Sequence, residues 1–304
     1  MLFWRKPKKT GDERRAKAEA TFNKAKDLFD KGEIDAAISM SHAARDLYEG
    51  TKDNEGLGRA ENLIGDILRS IGQFDFAEKA YQRATTAYKS VEGDAESFME
   101  LGEVHQFQDE RDEAIEAYEK ALGLYRRLND KPKIAQLTRS IAYLLYEKEQ
   151  WAEAEKYYRD ALELAEQTKM QDLKDSIILE IGNAIAHQGR LDEARRLFEQ
   201  SAAQARATND PDTLADALHS LAITYVASGD RQRARELYAE SLTLNQQSND
   251  RDGVAYTLFE MGVNEAEAGD REKGRDLIQQ AVTIYEELGA PELEVAKEKL
   301  AQYA

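Results

Sequence analysis

The sequence predicts an all-helical repeat protein, an α-solenoid, on three observations. Small residues recur in a fixed order, proline is nearly absent, and no strand-like alternation persists for more than a few residues. The recurrence carries most weight. A first small site reads Ala25, Gly65, Gly102, Ala142, Gly182, Ala222 and Gly262, and a second follows twelve residues later at Ala37, Ala77, Ala114, Ala154, Ala194, Ala234 and Gly274. Seven residues further on stands a third, at Ala44, Ala84, Ala121, Ala161, Ser201, Ser241 and Ala281. The period is 40 residues, apart from one step of 37. Units of this length bury a continuous core only by stacking on one another. Four prolines in 304 residues, with 33% of the chain charged, fit a helical array with a solvated surface.

A bulky residue completes each unit four places after the second small site, reading Tyr81, Tyr118, Tyr158, Phe198, Tyr238 and Ile278, with Ser41 the exception. This order of small, small, aromatic and small resembles the tetratricopeptide repeat (TPR) family across about residues 11 to 288, most clearly from Leu179 to Ala194 and from Leu258 to Gly262. The resemblance implies a right-handed solenoid of about seven hairpins, each an A helix and an antiparallel B helix, closed by a C-terminal capping helix. The family's usual proline at the end of helix B is missing; Glu49, Lys89, Arg126, Glu166, Arg206, Gln246 and Glu286 stand there. With its 40-residue period the chain is similar to the kinesin light chain and peptide-sensing regulator variety.

Each element has a local reason. Thr10 and Glu13 form a capping box that starts the first helix near Gly11 and leaves residues 1–9 as a basic, apolar tail. The solenoid is expected over 10–290, as repeats of about 11–50, 51–90, 91–130, 131–170, 171–210, 211–250 and 251–290. A glycine in mid-helix costs about 0.5 to 1 kcal/mol relative to alanine. Gly65, Gly102, Gly182 and Gly262 therefore imply that helix A lies close against helix B. The aromatic is expected to fill the space between repeats. Gly32, Gly72, Gly189, Gly229 and Gly269 close their first helices, and Asp210 caps a helix that Pro211 opens. Asp109 and Glu149 occupy the same turn without glycine, which predicts a different shape there. The 37-residue step reads as the loss of about one turn at the start of the third repeat's helix A. Pro291 opens the capping segment over 291–304, with Leu293, Ala296, Leu300 and Tyr303 on one face.

Absences narrow the chemistry. Without cysteine there is no disulfide, thiolate metal site or thiol nucleophile. His42, His105, His187 and His219 lie in four different repeats and form no ligand-spaced pair. Gly56 and Gly58 follow no strand and mark no nucleotide loop, and the run from Asn249 to Gly253 lacks the acidic twelfth residue of a calcium loop, Met261 standing there. The expectation is a protein that is not an enzyme and takes neither cofactor nor metal. The net charge of −17 opposes nucleic-acid binding. Residues 1–17 nevertheless carry +5, leaving −22 on the remainder. Phe3, Trp4, Arg5 and Lys6 are a candidate weak contact with an anionic membrane surface, too short for a signal peptide or a span, so a cytoplasmic location is expected.

By resemblance, the positions three before, one after and four after the first small site face a concave groove. The expected lining is Asn62, Arg69, Arg139, Tyr143, Tyr146, Asn183, His219, Ile223, Val226, Phe259 and Val263, with Tyr256 alongside. Only Asn183 keeps the groove asparagine of the peptide-binding relatives, and no repeat has the Lys and Asn pair of a carboxylate clamp. The early repeats are mixed and charged there; the later ones are aromatic and aliphatic. Glu96, Glu100, Glu103, Glu147, Glu180, Asp216, Glu260 and Glu267 wall the groove with acid. The function expected is a scaffold or adaptor holding a basic, amphipathic segment of a partner protein. The alternative is a structural, self-associating component, recruited to a membrane surface by its tail.

Overall fold

The structure, a computed structural model, describes residues 11–303; Phe3, Trp4, Arg5, Lys6 and the capping threonine Thr10 lie outside the described residues. Fifteen helices and no strand occur among them. The A helices are α1 (Gly11–Asp30), α3 (Asn54–Ser70), α5 (Val91–Phe107), α7 (Lys131–Glu147), α9 (Gln171–His187), α11 (Pro211–Ala227) and α13 (Arg251–Glu267). Each is followed by its B helix: α2 (Ile34–Thr51), α4 (Phe74–Ala87), α6 (Arg111–Leu128), α8 (Trp151–Thr168), α10 (Leu191–Thr208), α12 (Arg231–Ser248) and α14 (Arg271–Leu288). A last helix, α15 (Leu293–Gln302), closes the series. The chain divides into two compact units, Met1–Leu144 and Leu145–Ala304.

In both units the small-residue register is the packing register. Alanines of all three small sites are fully buried, and the tyrosines and Phe198 that follow the second site are at most 2% exposed. The reason for glycine is steric. A Cβ placed on Gly65 would stand 2.6 Å from the Tyr81 ring of its own hairpin, and Gly102 and Gly182 meet Tyr118 and Phe198 in the same way. The aromatic therefore lies over its own A helix first, and reaches the next repeat as well: Tyr81 shares a cluster with Leu101 and Val104 of α5. In the last hairpin the ring is replaced by Ile278 and the second site by Gly274, where a Cβ would come within 2.6 Å of the Gly262 carbonyl oxygen. Helix α15 covers this hairpin with Leu293, Ala296, Leu300 and Tyr303, as expected of a cap.

Consecutive repeats are joined at recurring positions. The first residue of a B helix meets the last residue of the next A helix: Phe74 stacks on Phe107 at 5.5 Å and Trp151 on His187 at 5.1 Å. In the sixth repeat Arg231 pairs with Glu267 at 3.0 Å in the same register. Arg235 and Lys273 hold the buried Glu265 at 2.7 and 2.9 Å, and although burial pushes its carboxyl up, these two cations bring it below the usual range.

Two expectations are corrected. Asp109 and Glu149 adopt φ of 61° and 59°, the left-handed conformation that Gly32 and Gly72 adopt at 75° and 73°. Their hydrogen bonds match too, Glu110 N–H reaching the His105 carbonyl at 2.9 Å as Gln73 N–H reaches Leu68 at 2.9 Å. The turn keeps its shape because its two backbone bonds offset the strain of a side chain there. The 37-residue step is not a loss from helix A: α5 has 17 residues like α3, whereas α4 has 14 against 18 in α2 and α6. The last turn of α4 is missing, and Tyr88 takes an extended conformation, φ −58° and ψ 147°, where other B helices are followed by a left-handed residue. Its ring fills the space that a Cβ on Gly58 or Gly93 would need. Glu55, the second residue of α3, accepts from the amides of Lys89 and Ser90 at 3.0 and 2.8 Å and so replaces the missing backbone bonds.

Candidate partner-binding faces

In the first unit the helix-A face gathers carboxylates. Asp66 and Arg69 project from α3, and Glu96, Glu100 and Glu103 from α5, because these helices put residues three or four apart on one side. Arg69 bridges to Glu100 at 3.0 Å and to Glu103 at 2.6 Å. Asp66 accepts from the Tyr81 hydroxyl at 2.6 Å, so a tyrosine rooted in helix B secures a side chain on the helix-A face. One arginine does not neutralise this group. Burial, together with Glu103 and Asp66, holds the Glu100 carboxyl up at about 7 despite the guanidinium beside it. Burial likewise raises Asp66 and Glu96.

The predicted lining residues of this unit divide. Arg69 belongs to the acidic group. Asn62 is buried, its Oδ1 accepting from Ser97 Oγ at 2.8 Å, and joins α3 to α5. Nothing in one sequence marks that pairing, since Ser97 lies 35 residues away. Arg139 is half-buried and Tyr143 is 41% exposed.

In the second unit the same columns carry rings and aliphatic groups. Tyr146 and Asn183 are half-buried, as are Ile223 and Val226 on α11. On α13 the Tyr256 ring is 45% exposed, while Phe259 and Val263 are half-buried and pack into the cluster that α15 covers, with Leu293, Leu300 and Tyr303. His219 is buried; its ring lies parallel to Tyr256 at 4.4 Å and edge-on to Tyr238 at 5.3 Å. Burial drives its pKa down to about 4, so the imidazole is neutral at physiological pH. Burial, then Glu260, then Tyr146 hold the Tyr256 phenol up at about 12, which places Tyr146 of α7 near Tyr256 of α13. The ring pair of Trp151 and His187, with Tyr146 edge-on to His187 at 5.4 Å, extends this face and was missed in the sequence. Its signal was an aromatic at the first position of a B helix, Trp151 of α8.

Among the described residues no group of three or more histidines or carboxylates is arranged to hold a metal ion, and no helix is long and apolar enough to cross a membrane.

Comparison with known proteins follows the same pattern. A family model described as tetratricopeptide repeat matches residues 17–90, 94–167 and 175–247, and a second with the same description matches 62–125. No curated protein sequence is significantly similar to the chain. Among solved structures, the apo form of RapI is similar with a TM-score of 0.69 and 16% identity, covering 90% of this chain and 99% of that one. A Rap protein complexed with competence and sporulation factor gives a TM-score of 0.56 and 16% identity, covering 95% of this chain and 100% of that one. The repeats of a putative kinesin light chain from Podosopora anserina give 0.54 and 19%, covering 63% of this chain and 96% of that one. At these identities the likeness is one of fold.

Proposed function

Because the chain belongs to the tetratricopeptide repeat family, we propose that it is a non-catalytic scaffold whose second unit holds an extended segment of a partner protein along the helix-A faces of α9, α11 and α13. The observation that carries this reading is the contrast of exposure on the two helix types. Aromatics of the B-helix register, such as Tyr158, Phe198 and Tyr238, are at most 1% exposed, whereas Tyr256 keeps 45% of its surface open. Apolar surface left open beside Ile223 and Tyr146 can gain by covering, and aromatic anchors of this kind dominate binding energy. That a structurally similar Rap protein is found complexed with competence and sporulation factor supports a partner of peptide or protein class.

The partner is basic and amphipathic on this reading. Glu180, Asp216, Glu260 and Glu267 flank the apolar residues, and the chain carries −17 overall. Such complementarity speeds encounter and weakens with salt, while the apolar anchors set the dissociation rate. An extended segment alternates its side chains, so leucine and lysine in strict alternation present one apolar and one cationic edge. An acetylated, amidated twelve-residue peptide of that pattern is the probe. Titration calorimetry of Ile223→Ser combined with Tyr146→Ala should show an affinity at least about tenfold weaker than wild type, with the melting temperature measured alongside. Unchanged affinity would remove the site from this face.

A second reading, self-association, rests on the edge of the first unit, where Ile71, Phe76 and Phe107 are 45%, 59% and 66% exposed. Sedimentation of Phe76→Ser combined with Phe107→Ser against wild type tests it. A single monomeric species in both would dismiss it.

A further inference from the structure

His219 carries a hydrogen-bond donor with no partner. It is only 6% exposed, and its Nε2 is buried and unbonded. The proton's position follows from its neighbours. Thr257 Oγ1 lies 3.2 Å from His219 Nδ1 and accepts from Asn245 Nδ2 at 3.4 Å. Among the described residues the threonine hydroxyl has no other acceptor, so its proton goes to Nδ1 and the ring hydrogen stands on Nε2. A neutral donor is thus held beside the inner face of α11, one helical turn from Asp216 and Ile223 and beneath the Tyr256 ring at 4.4 Å. Buried donors without acceptors are rare, because each forfeits the hydrogen bond it made in water.

The chemistry around the donor selects its acceptor. Asp216 precedes His219 by one helical turn on α11, and Glu260 acts on both tyrosine rings that touch the imidazole. A carboxylate brought here would face like charge, and a neutral imidazole offers it no countercharge. A main-chain carbonyl meets neither objection. Resting on the partner-segment reading above, we infer that a main-chain carbonyl of the bound segment accepts a hydrogen bond from His219 Nε2, in the plane of the imidazole and alongside the stacked Tyr256 ring. Tyr256, 45% exposed, then flanks a polar anchor as well as offering an apolar contact, and it shifts to let the carbonyl reach a buried atom.

The test uses the full chain, 15N-labelled at histidine, and the acetylated, amidated leucine and lysine peptide. In the free protein the Nε2 proton should exchange slowly with water, and Tyr256→Ala should accelerate that exchange. On adding peptide, the Nε2 signal of His219 should move in the direction of a hydrogen-bonded imidazole. Sodium acetate at matched concentration should leave it in place. His219→Phe, which keeps a ring and removes the donor, should bind about tenfold more weakly, and His219→Gln, which restores an N–H, should recover most of the loss. An unmoved Nε2 signal at saturating peptide overturns the anchor even if the phenylalanine variant folds poorly. Equal affinity of His219→Phe and wild type does the same, while loss of binding by Ile223→Ser with Tyr146→Ala in that experiment leaves the groove reading standing. Absence of binding by wild type rejects both.

Discussion

On α3 and α5 the helix-A face is a crowd of carboxylates around Arg69, and one of them, Asp66, is held from beneath by Tyr81. On α11 and α13 the same columns hold His219, Ile223, Tyr256 and Phe259, stacked or half-buried. The helices beneath are alike: Gly102 meets Tyr118 in the first unit as Gly182 meets Phe198 in the second. The small-residue register and the outward columns are thus independent variables. One fixes how hairpins pack, and the other can be rewritten from acidic to apolar without disturbing it.

The largest expected effect follows from the buried ionisable groups, which titrate in opposite senses. His219 in the unfolded chain takes its proton near pH 6.5, but in the fold only near 4. Between these values the unfolded state binds more protons, so stability falls as pH drops through the window, by up to about 3 kcal/mol. Glu100 runs the other way. Its ordinary value is 4.5 and its folded value about 7, so its contribution is fully present below 4.5 and lost as pH rises through 7, again by up to about 3 kcal/mol. Asp216 and Glu260, raised by burial in the second unit, and His42, lowered by burial in the first, add limbs of the other sign, so the contrast is read through variants. In hydrogen exchange resolved by unit, from pH 4 to 8, His219→Phe should flatten the acidic limb of the second unit and Glu100→Gln the basic limb of the first. Limbs that survive these substitutions unchanged would break the contrast.

Overpacking comes next, and should make the units behave identically. Ala114→Leu in the first and Ala194→Leu in the second each force a larger side chain into a fully buried contact, at a cost of about 1 to 3 kcal/mol. Glu193→Gln, one residue away, loses only partly exposed ion pairs to Arg159 and Arg190 and should cost well under 1 kcal/mol. Equal melting temperatures for Ala194→Leu and Glu193→Gln would mean that the register is misassigned.

The smallest effect is a gain. Asp109→Gly and Glu149→Gly relieve a left-handed backbone at one turn in each unit and should stabilise by at most about 1 kcal/mol, since glycine also loses more freedom on folding. Chemical denaturation midpoints that fall instead would show that these side chains support their turns.

Much of this was legible because packing in a repeat array is periodic. Ala77, Ala154 and Ala234 declare a buried contact by their spacing, and the paired helices and the final cap at Leu293 follow. The misses share a cause. Asn62 and His219 sit in outward columns, and a polar residue in such a column reads as solvent-facing until its distant partners, Ser97 and Thr257, are known. The shortened α4 was placed on the wrong side of its loop, since a deletion shifts both neighbours equally and only the Glu55 contacts show which helix lost its turn. For Phe259 and Val263 the sequence left open groove and packing under the last helix side by side, and α15 packs into the same cluster.

The joint after α4 has a consequence for how such arrays change length. Elsewhere the link between repeats is closed by main-chain bonds that follow a left-handed residue, a device that fixes the number of residues in the connection. At Tyr88 the closure is delegated to a side chain, Glu55, reaching across from the helix before. Three residues have gone, and the alanines and rings on either side still interlock, with Ala84, Tyr81 and Gly102 in their usual places. Connection length in this chain is therefore a tolerant quantity. Insertions and deletions between hairpins can accumulate by descent or by design, provided a polar side chain takes over the orphaned amides and the small residues keep their count within each helix.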